Sequence, residues 1–311
     1  MALDTLPQLA GGLFLSDGGL ETTLIYLEGV DLPHFAAFAL LRDAAGRERL
    51  RRYYEPYLEL CASTPEAGFV LETPTWRASA DWGRRLGYDA LALTDANRDA
   101  VRLIREIRDE WQPRIAGTVV LSGIIGPRGD GYVVEVPGSA EEAAAFHMAQ
   151  ATALRDGGVD MLAAVTMTSA AEAIGVARAA RSVGLPVAIS FTVETDGRLP
   201  SGEQLREAIE RVDADTPPAY FAVNCAHPSH FDACFDEAGR WTARIRGIRA
   251  NASTRSHAEL DVATELHIGD PADLAERYRR LRSLLPMLNV LGGCCGTDHR
   301  HLRMIRDTWL R

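Results

Sequence analysis

The strongest constraint in this 311-residue sequence is a rhythm. Eight short apolar runs, at residues 13–15, 68–73, 117–123, 161–167, 186–193, 220–224, 244–250 and 288–292, alternate with helix-like stretches. Most are continuous rather than alternating, the pattern of parallel strands buried on both faces. The seventh, within ARIRGIRAN, carries arginines and is placed by the rhythm alone. The helices between them have their own signals. Ser139 and Glu142 form a capping box at the head of EEAAAFHMAQATALRDGG, which stops at a glycine pair. Asp270-Pro271 supplies an N-cap and a first-turn proline before a stripe of Leu274, Tyr278, Leu281 and Leu285. Val101, Ile104, Arg108 and Trp111 share a helical face beyond Asn97. This alternation predicts an α/β fold, a (β/α)8 barrel of the TIM type, as one domain over 1–311. A doubly wound open sheet has the same alternation, but no G-x-G-x-x-G follows the first strand.

Composition narrows the chemistry. Hydrophobic residues make up 47% and charged residues 24%, which fits a folded domain and not a disordered chain. A net charge of −10 argues against nucleic acid and anionic membranes as partners. All 33 basic side chains are arginines, and the sequence has no lysine. Schiff-base catalysis, pyridoxal phosphate anchoring and the phosphate-binding P-loop all need a lysine amine and are excluded. No apolar run approaches the roughly 20 residues of a membrane span. The opening MALDTLPQLAGG lacks a basic segment followed by an apolar one, so no secretory signal is expected. The cysteines, Cys61, Cys225, Cys234, Cys294 and Cys295, are odd in number and two are adjacent. They make a poor disulfide framework and fit a reducing cytoplasm.

In a barrel, chemistry belongs at the C-terminal ends of the strands. There the first run leads into Ser16-Asp17-Gly18-Gly19 and the second into Glu72-Thr73-Pro74-Thr75-Trp76. The sixth leads into Asn224-Cys225-Ala226-His227 and the eighth into Gly293-Cys294-Cys295-Gly296. Cys225, Cys294 and Cys295 therefore share one rim, and the glycines allow backbone angles that aim the adjacent pair inward. Three sulfurs with a fourth position free suit a borderline-soft ion, Zn²⁺ first, in the catalytic pattern. A helix opening at Asp298 would bring its positive end to the thiolates. The alternative is that the three are small buried apolar residues; Cys61 and Cys234 are read that way. His227 and His230 are candidate fourth ligands or loop histidines, and His299 and His301 read as capping or solvated residues.

The segments DGGLETTL, LETPTWRAS, SGIIGPRGDGY, GVDML, ISFTVETDGRLPSG, VNCAHP and GGCCGT together resemble the homocysteine S-methyltransferase family over nearly the whole chain. VNC and GGCCGT are the most specific. The resemblance implies a zinc-containing (β/α)8 barrel with Cys225, Cys294 and Cys295 as metal ligands. It implies that Asp17, in the DGG run with Gly18, holds the amino group of the acceptor amino acid. Thr73 matches a position whose backbone meets the acceptor carboxylate, and Asn251 matches an Asn that contacts substrate or closes a turn. Trp76, with Tyr26 and Phe191, could face an onium methyl group, the alternative being ordinary packing. The reaction implied is methylation of a metal-activated thiolate, with homocysteine giving methionine and no side chain assigned as catalytic. Folate- and cobalamin-using relatives carry extra domains not seen in this sequence, which points to a small onium donor: S-methylmethionine, S-adenosylmethionine or betaine.

Two positions depart from the family. Val165 stands where relatives carry a Glu that helps bind the acceptor ammonium, and Pro74 where many have Asn. Losing one charged hydrogen bond of about 1.5–3 kcal/mol leaves two outcomes. Asp17 with Glu72 or Glu194 takes over, or the acceptor is a different small thiol. Zinc hydrolysis ranks lower, since three thiolates make a metal-bound water less acidic. A redox- or metal-sensing thiol protein is the non-enzymatic alternative.

Overall fold

A computed structural model describes residues 6–134, 138–236 and 239–311; residues 1–5, where the N-terminal segment begins, lie outside the described residues. Eight parallel strands close a barrel in sequence order, β1 pairing with both β2 and β8. They are β1 (Phe14–Leu15), β2 (Gly68–Glu72), β3 (Val119–Ile125), β4 (Met161–Met167), β5 (Val187–Phe191), β6 (Tyr220–Asn224), β7 (Ile245–Ala250) and β8 (Val290–Gly293). The expected (β/α)8 architecture is the observed one, and each apolar run overlaps a strand, the eighth strand ending one residue beyond its run. The third run is displaced: its strand starts two residues later and ends at Ile125.

The helix signals hold for physical reasons visible in the caps. Ser139 and Glu142 make the reciprocal capping box of the helix Ala140–Gly157, and Gly158 ends it in the left-handed region at φ 92°. Asp270 accepts from the Ala272 N–H at the start of Pro271–Leu284, whose Leu274, Tyr278 and Leu281 are buried. The helix Ala90–Trp111 begins at the Asp89 cap, ahead of Asn97.

Two apolar cores result. The larger fills the space between strands and helices, and the smaller plugs the lumen with Phe14, Val70, Val120, Ile124, Met161, Ala163, Ala188, Tyr220 and Val290. Glycine is required at Gly68, where a Cβ would strike the Phe14 ring. The N-terminal turn Pro7–Ala10 closes the lower end, with Gln8 wholly buried and its carbonyl accepting from Arg246 and Asn289. Following the alternation upward, the lumen becomes polar, with Glu72, Ser190, Asn224 and Arg249 near the strand ends. The arginines that made β7 the hardest strand to recognise thus serve the two ends of the lumen. A register shift beside Arg246 lets both Arg246 and Arg249 reach it.

Tyr278 ties helix to barrel at the critical end: its hydroxyl accepts from the Ala250 N–H at 2.9 Å and donates to the Gly292 carbonyl at 2.7 Å. Tyr278→Phe should leave a buried N–H unpaired and cost about 1–3 kcal/mol, read as a lowered urea midpoint. An unchanged midpoint would show that closure of β7 on β8 does not depend on this clamp.

Candidate active site

Cys225 follows the last residue of β6 and adopts φ 54°, a left-handed conformation unusual for a side chain with a Cβ. Its carbonyl holds that conformation in place. It accepts from His257 Nε2 at 2.5 Å, Asn251 Nδ2 at 2.9 Å and, more weakly, Thr192 Oγ1 at 3.4 Å. Just after β8, the Cys294 N–H donates to the Ala250 carbonyl at 2.8 Å, and the Cys295 carbonyl accepts from the Ala252 N–H at 3.0 Å. Of the glycines around the pair, only Gly296 has a positive φ; Gly292 and Gly293 instead allow close approach of Ser16 and Thr297. The outcome is that the sulfurs of Cys225, Cys294 and Cys295 lie within 4.8 Å of one another. Thr166 Oγ1 is 3.9 Å from the Cys225 sulfur, and the Tyr132 hydroxyl 3.8 Å from that of Cys295.

The trio sits in a cavity of about 480 Å³ at the C-terminal mouth of the barrel. Hydrogen bonding among the three thiols, together with burial, holds all of them well above the ordinary thiol range in the metal-free protein. The expected help from the last helix is not what the structure provides. Asp298 caps that N-terminus itself, accepting from the Arg300 N–H and pairing with Arg300 and His301. His301 is a fully buried part of this cap.

Beside the sulfurs lies a charged floor. Arg249 Nη2 pairs with Asp17 Oδ1 at 2.6 Å, Nη1 pairs with Glu72, and Nε donates to the Gly293 carbonyl at 3.1 Å. Tyr53 donates to the other Asp17 oxygen at 3.0 Å. Glu21 also lines the cavity; burial first, and then Asp17, raises its pKa to about 7. Arg77 lies between the rings of Trp76 and Trp82, 3.9 Å from each centroid, and burial lowers its pKa to about 10.

These positions sort the residues expected from sequence. Asp17, Gly18, Thr73, Trp76, Val165 and the three cysteines all line the cavity. The backbone of Thr73 is committed within the fold: its N–H donates to Ser122 and its carbonyl accepts from Thr75. Asn251 is outside the lining and supports Cys225. Tyr26 lines the cavity, whereas Phe191 is fully buried against Phe221. His227 bonds Ser229 and His230 bonds the Thr254 carbonyl, so neither joins the sulfur cluster. Of the two carboxylates expected from sequence to replace the Glu missing at Val165, Glu72 is paired with Arg249, and Glu194, itself outside the lining, pairs with His257. Sequence reasoning missed Glu21, Arg249, Tyr132 and His257. Asp130 in GPRGDGY was a partial signal for Tyr132, since its carboxylate accepts from the Tyr132 N–H at 2.8 Å.

The homocysteine S-methyltransferase family model matches residues 14–309. The chain belongs to the homocysteine S-methyltransferase family. As a member it is a methyltransferase. Homocysteine S-methyltransferase 1 from Brassica oleracea var. italica is 24% identical over 97% of this chain and 95% of its own length. The homocysteine S-methyltransferase of Escherichia coli K12 is 26% identical over 68% of this chain and 72% of its own. Among solved structures, the homocysteine methyltransferase MmuM from Escherichia coli in a metallated form superposes with a TM-score of 0.76 at 20% identity, covering 96% of this chain and 97% of that one. Its oxidized form gives the same TM-score at 21% identity over 95% of both chains. These structures share the barrel fold.

Three thiols at this spacing could hold a metal ion. Reconstituted under reducing conditions, the protein should hold about one divalent ion per chain. Because the metal-free thiols have raised pKa values, binding must release protons, so affinity rises with pH and the ion is lost on acidification. Asn251→Ala should weaken metal binding about 10–100-fold by releasing the Cys225 carbonyl. Competition with a chromophoric chelator measures this; unchanged affinity would remove Asn251 from the site's support.

Proposed function

We propose that this chain transfers a methyl group from a small onium donor, S-methylmethionine, S-adenosylmethionine or betaine, to the thiol of homocysteine, giving methionine. The observation that carries the reading is the meeting of three cysteine sulfurs in a cavity whose floor is lined by Asp17, Glu21 and Glu72. We take the chain as one catalytic domain over 1–311, acting in the cytoplasm on small molecules.

The ion is assigned as zinc, held by Cys225, Cys294 and Cys295, because an all-thiolate donor set favours a borderline-soft metal. When bound, it supplies stabilisation of the acceptor sulfur as a thiolate, against a free thiol pKa of about 8.5. The protein's own part is orientation. Asp17, Gly18 and Thr73 form the wall on which the amino-acid end of the acceptor rests, and Arg249 fixes Asp17. Tyr132, its ring 4.1 Å from that of His257, closes the third loop over Cys295. Trp76 and Tyr26 line the approach of the donor, although Arg77 already covers one face of Trp76. In transfer, the carbon–sulfur bond to the acceptor forms as the bond to the onium centre breaks, and the donor leaves without its positive charge.

A second reading keeps the chemistry and changes the acceptor to another small thiol. It is favoured by the apolar side chain of Val165 in the cavity lining. A panel of thiols against the three donors, read by mass spectrometry, decides between them. Methionine is the expected product, and Cys225→Ser should abolish it together with the bound metal. Methylation confined to another thiol would establish the second reading, and no methylated thiol with zinc fully loaded would sink both.

A further inference from the structure

We propose that Glu21 binds the ammonium group of an amino-acid thiol acceptor, in place of the carboxylate that Val165 removes. This rests on the functional reading above and names the residue that would give it amino-acid specificity.

The first argument is position. Glu21 lies on the short helix Leu20–Thr22, whose ends are packed onto the metal-ligand loop. Gly19 meets the Cys294 carbonyl so closely that a Cβ there would collide with it, and Thr22 Oγ1 accepts from the Gly296 N–H at 3.2 Å. The segment carrying Glu21 therefore moves with the cysteines, and its side chain lines the same cavity.

The second argument is an account of the carboxylates. Both oxygens of Asp17 are taken, by Arg249 and Tyr53, and Glu72 is paired with Arg249. Asp130 accepts from the Tyr132 N–H and lies 4.0 Å from Arg77. Asp261 and Glu265 are exposed at the mouth. Among the described residues, no ion pair engages Glu21, although Asp17, Arg249 and Arg77 are close enough to influence it. It is thus the half-buried acid of the cavity without a cation of its own. Its pKa is raised to about 7 by burial first and then by Asp17, against the lowering influence of Arg249 and Arg77, neither of which is paired with it. An arriving ammonium supplies that cation and N–H donors; the onium centre of a methyl donor supplies charge but no N–H.

The test is calorimetric binding to the zinc-reconstituted full chain, which needs no turnover. Homocysteine and its amine-free analogue 4-sulfanylbutanoate are titrated into wild type, Glu21→Gln and Glu21→Asp, with S-methylmethionine as the donor control. Wild type should prefer homocysteine over the analogue. Glu21→Gln should raise the homocysteine Kd roughly 10- to 100-fold and leave the analogue and donor within threefold, with Glu21→Asp between. The proposal is overturned by no preference in wild type, by no change in the variants, by equal loss for both thiols, or by loss for the donor alone or as large as for homocysteine. If the thiol panel yields no methylated product, the functional reading fails, while this comparison still decides what Glu21 binds.

Discussion

The carbonyl of Cys225 is where the barrel and its chemistry are joined. A non-glycine residue in the left-handed region costs on the order of 1–3 kcal/mol and persists only where its surroundings over-determine it. Here the determinants come from three directions: Thr192 after β5, Asn251 after β7, and His257 on the following short helix. The conformation they hold turns Cys225 toward Cys294 and Cys295, which are themselves laced to the end of β7 by backbone hydrogen bonds. The three sulfurs are therefore placed by the closure of β6, β7 and β8, and not by a flexible loop.

The neighbouring strands show the same economy. β4 breaks register with β5 between Ala164 and Met167, and within that break Thr166 takes φ 62°. Its freed N–H donates to Asn224 Oδ1 at 2.9 Å, while Asn224 Nδ2 donates to Thr166 Oγ1 at 2.9 Å and Ser190 donates to the same Oδ1 at 2.6 Å. Asn224 thus binds β4, β5 and β6 one residue before Cys225. A strand irregularity here re-aims a side chain beside a site, the usual use of such a bulge.

How far the sequence foretold this depends on whether the decisive interaction is local. Continuous apolar runs are a local signal, and the strands were legible even where β1 is only two residues long. The cysteine trio was legible because the barrel topology brings strand ends together whatever their separation in sequence. Arg249 was not legible, because a charged residue in a strand reads as solvent-facing until Asp17 and Glu72, more than 170 positions away, are seen to meet it. Glu21 was hidden by its setting in DGGLETTL, where attention falls on Asp17, and its significance emerges only once Asp17, Glu72 and Asp130 have been given their partners. Asn251 was placed at the right end of the right strand, but its side chain points to the protein's own backbone.

Arg249 makes the cysteine cluster and the acidic floor of the cavity one unit. Its guanidinium reaches Glu72 with one terminal nitrogen, Asp17 with the other, and the Gly293 carbonyl with Nε. A lysine has no planar fork and could not hold three partners in fixed directions. Because Gly293 directly precedes Cys294, the group that orients Asp17 also pins the strand end presenting two sulfurs. Asp17 and Glu72 share this single guanidinium, and Glu21 adds a third carboxyl to the same floor. The surplus of negative charge favours entry of a cationic ligand. The same surplus offers no such attraction to a neutral ligand, so the floor selects by charge.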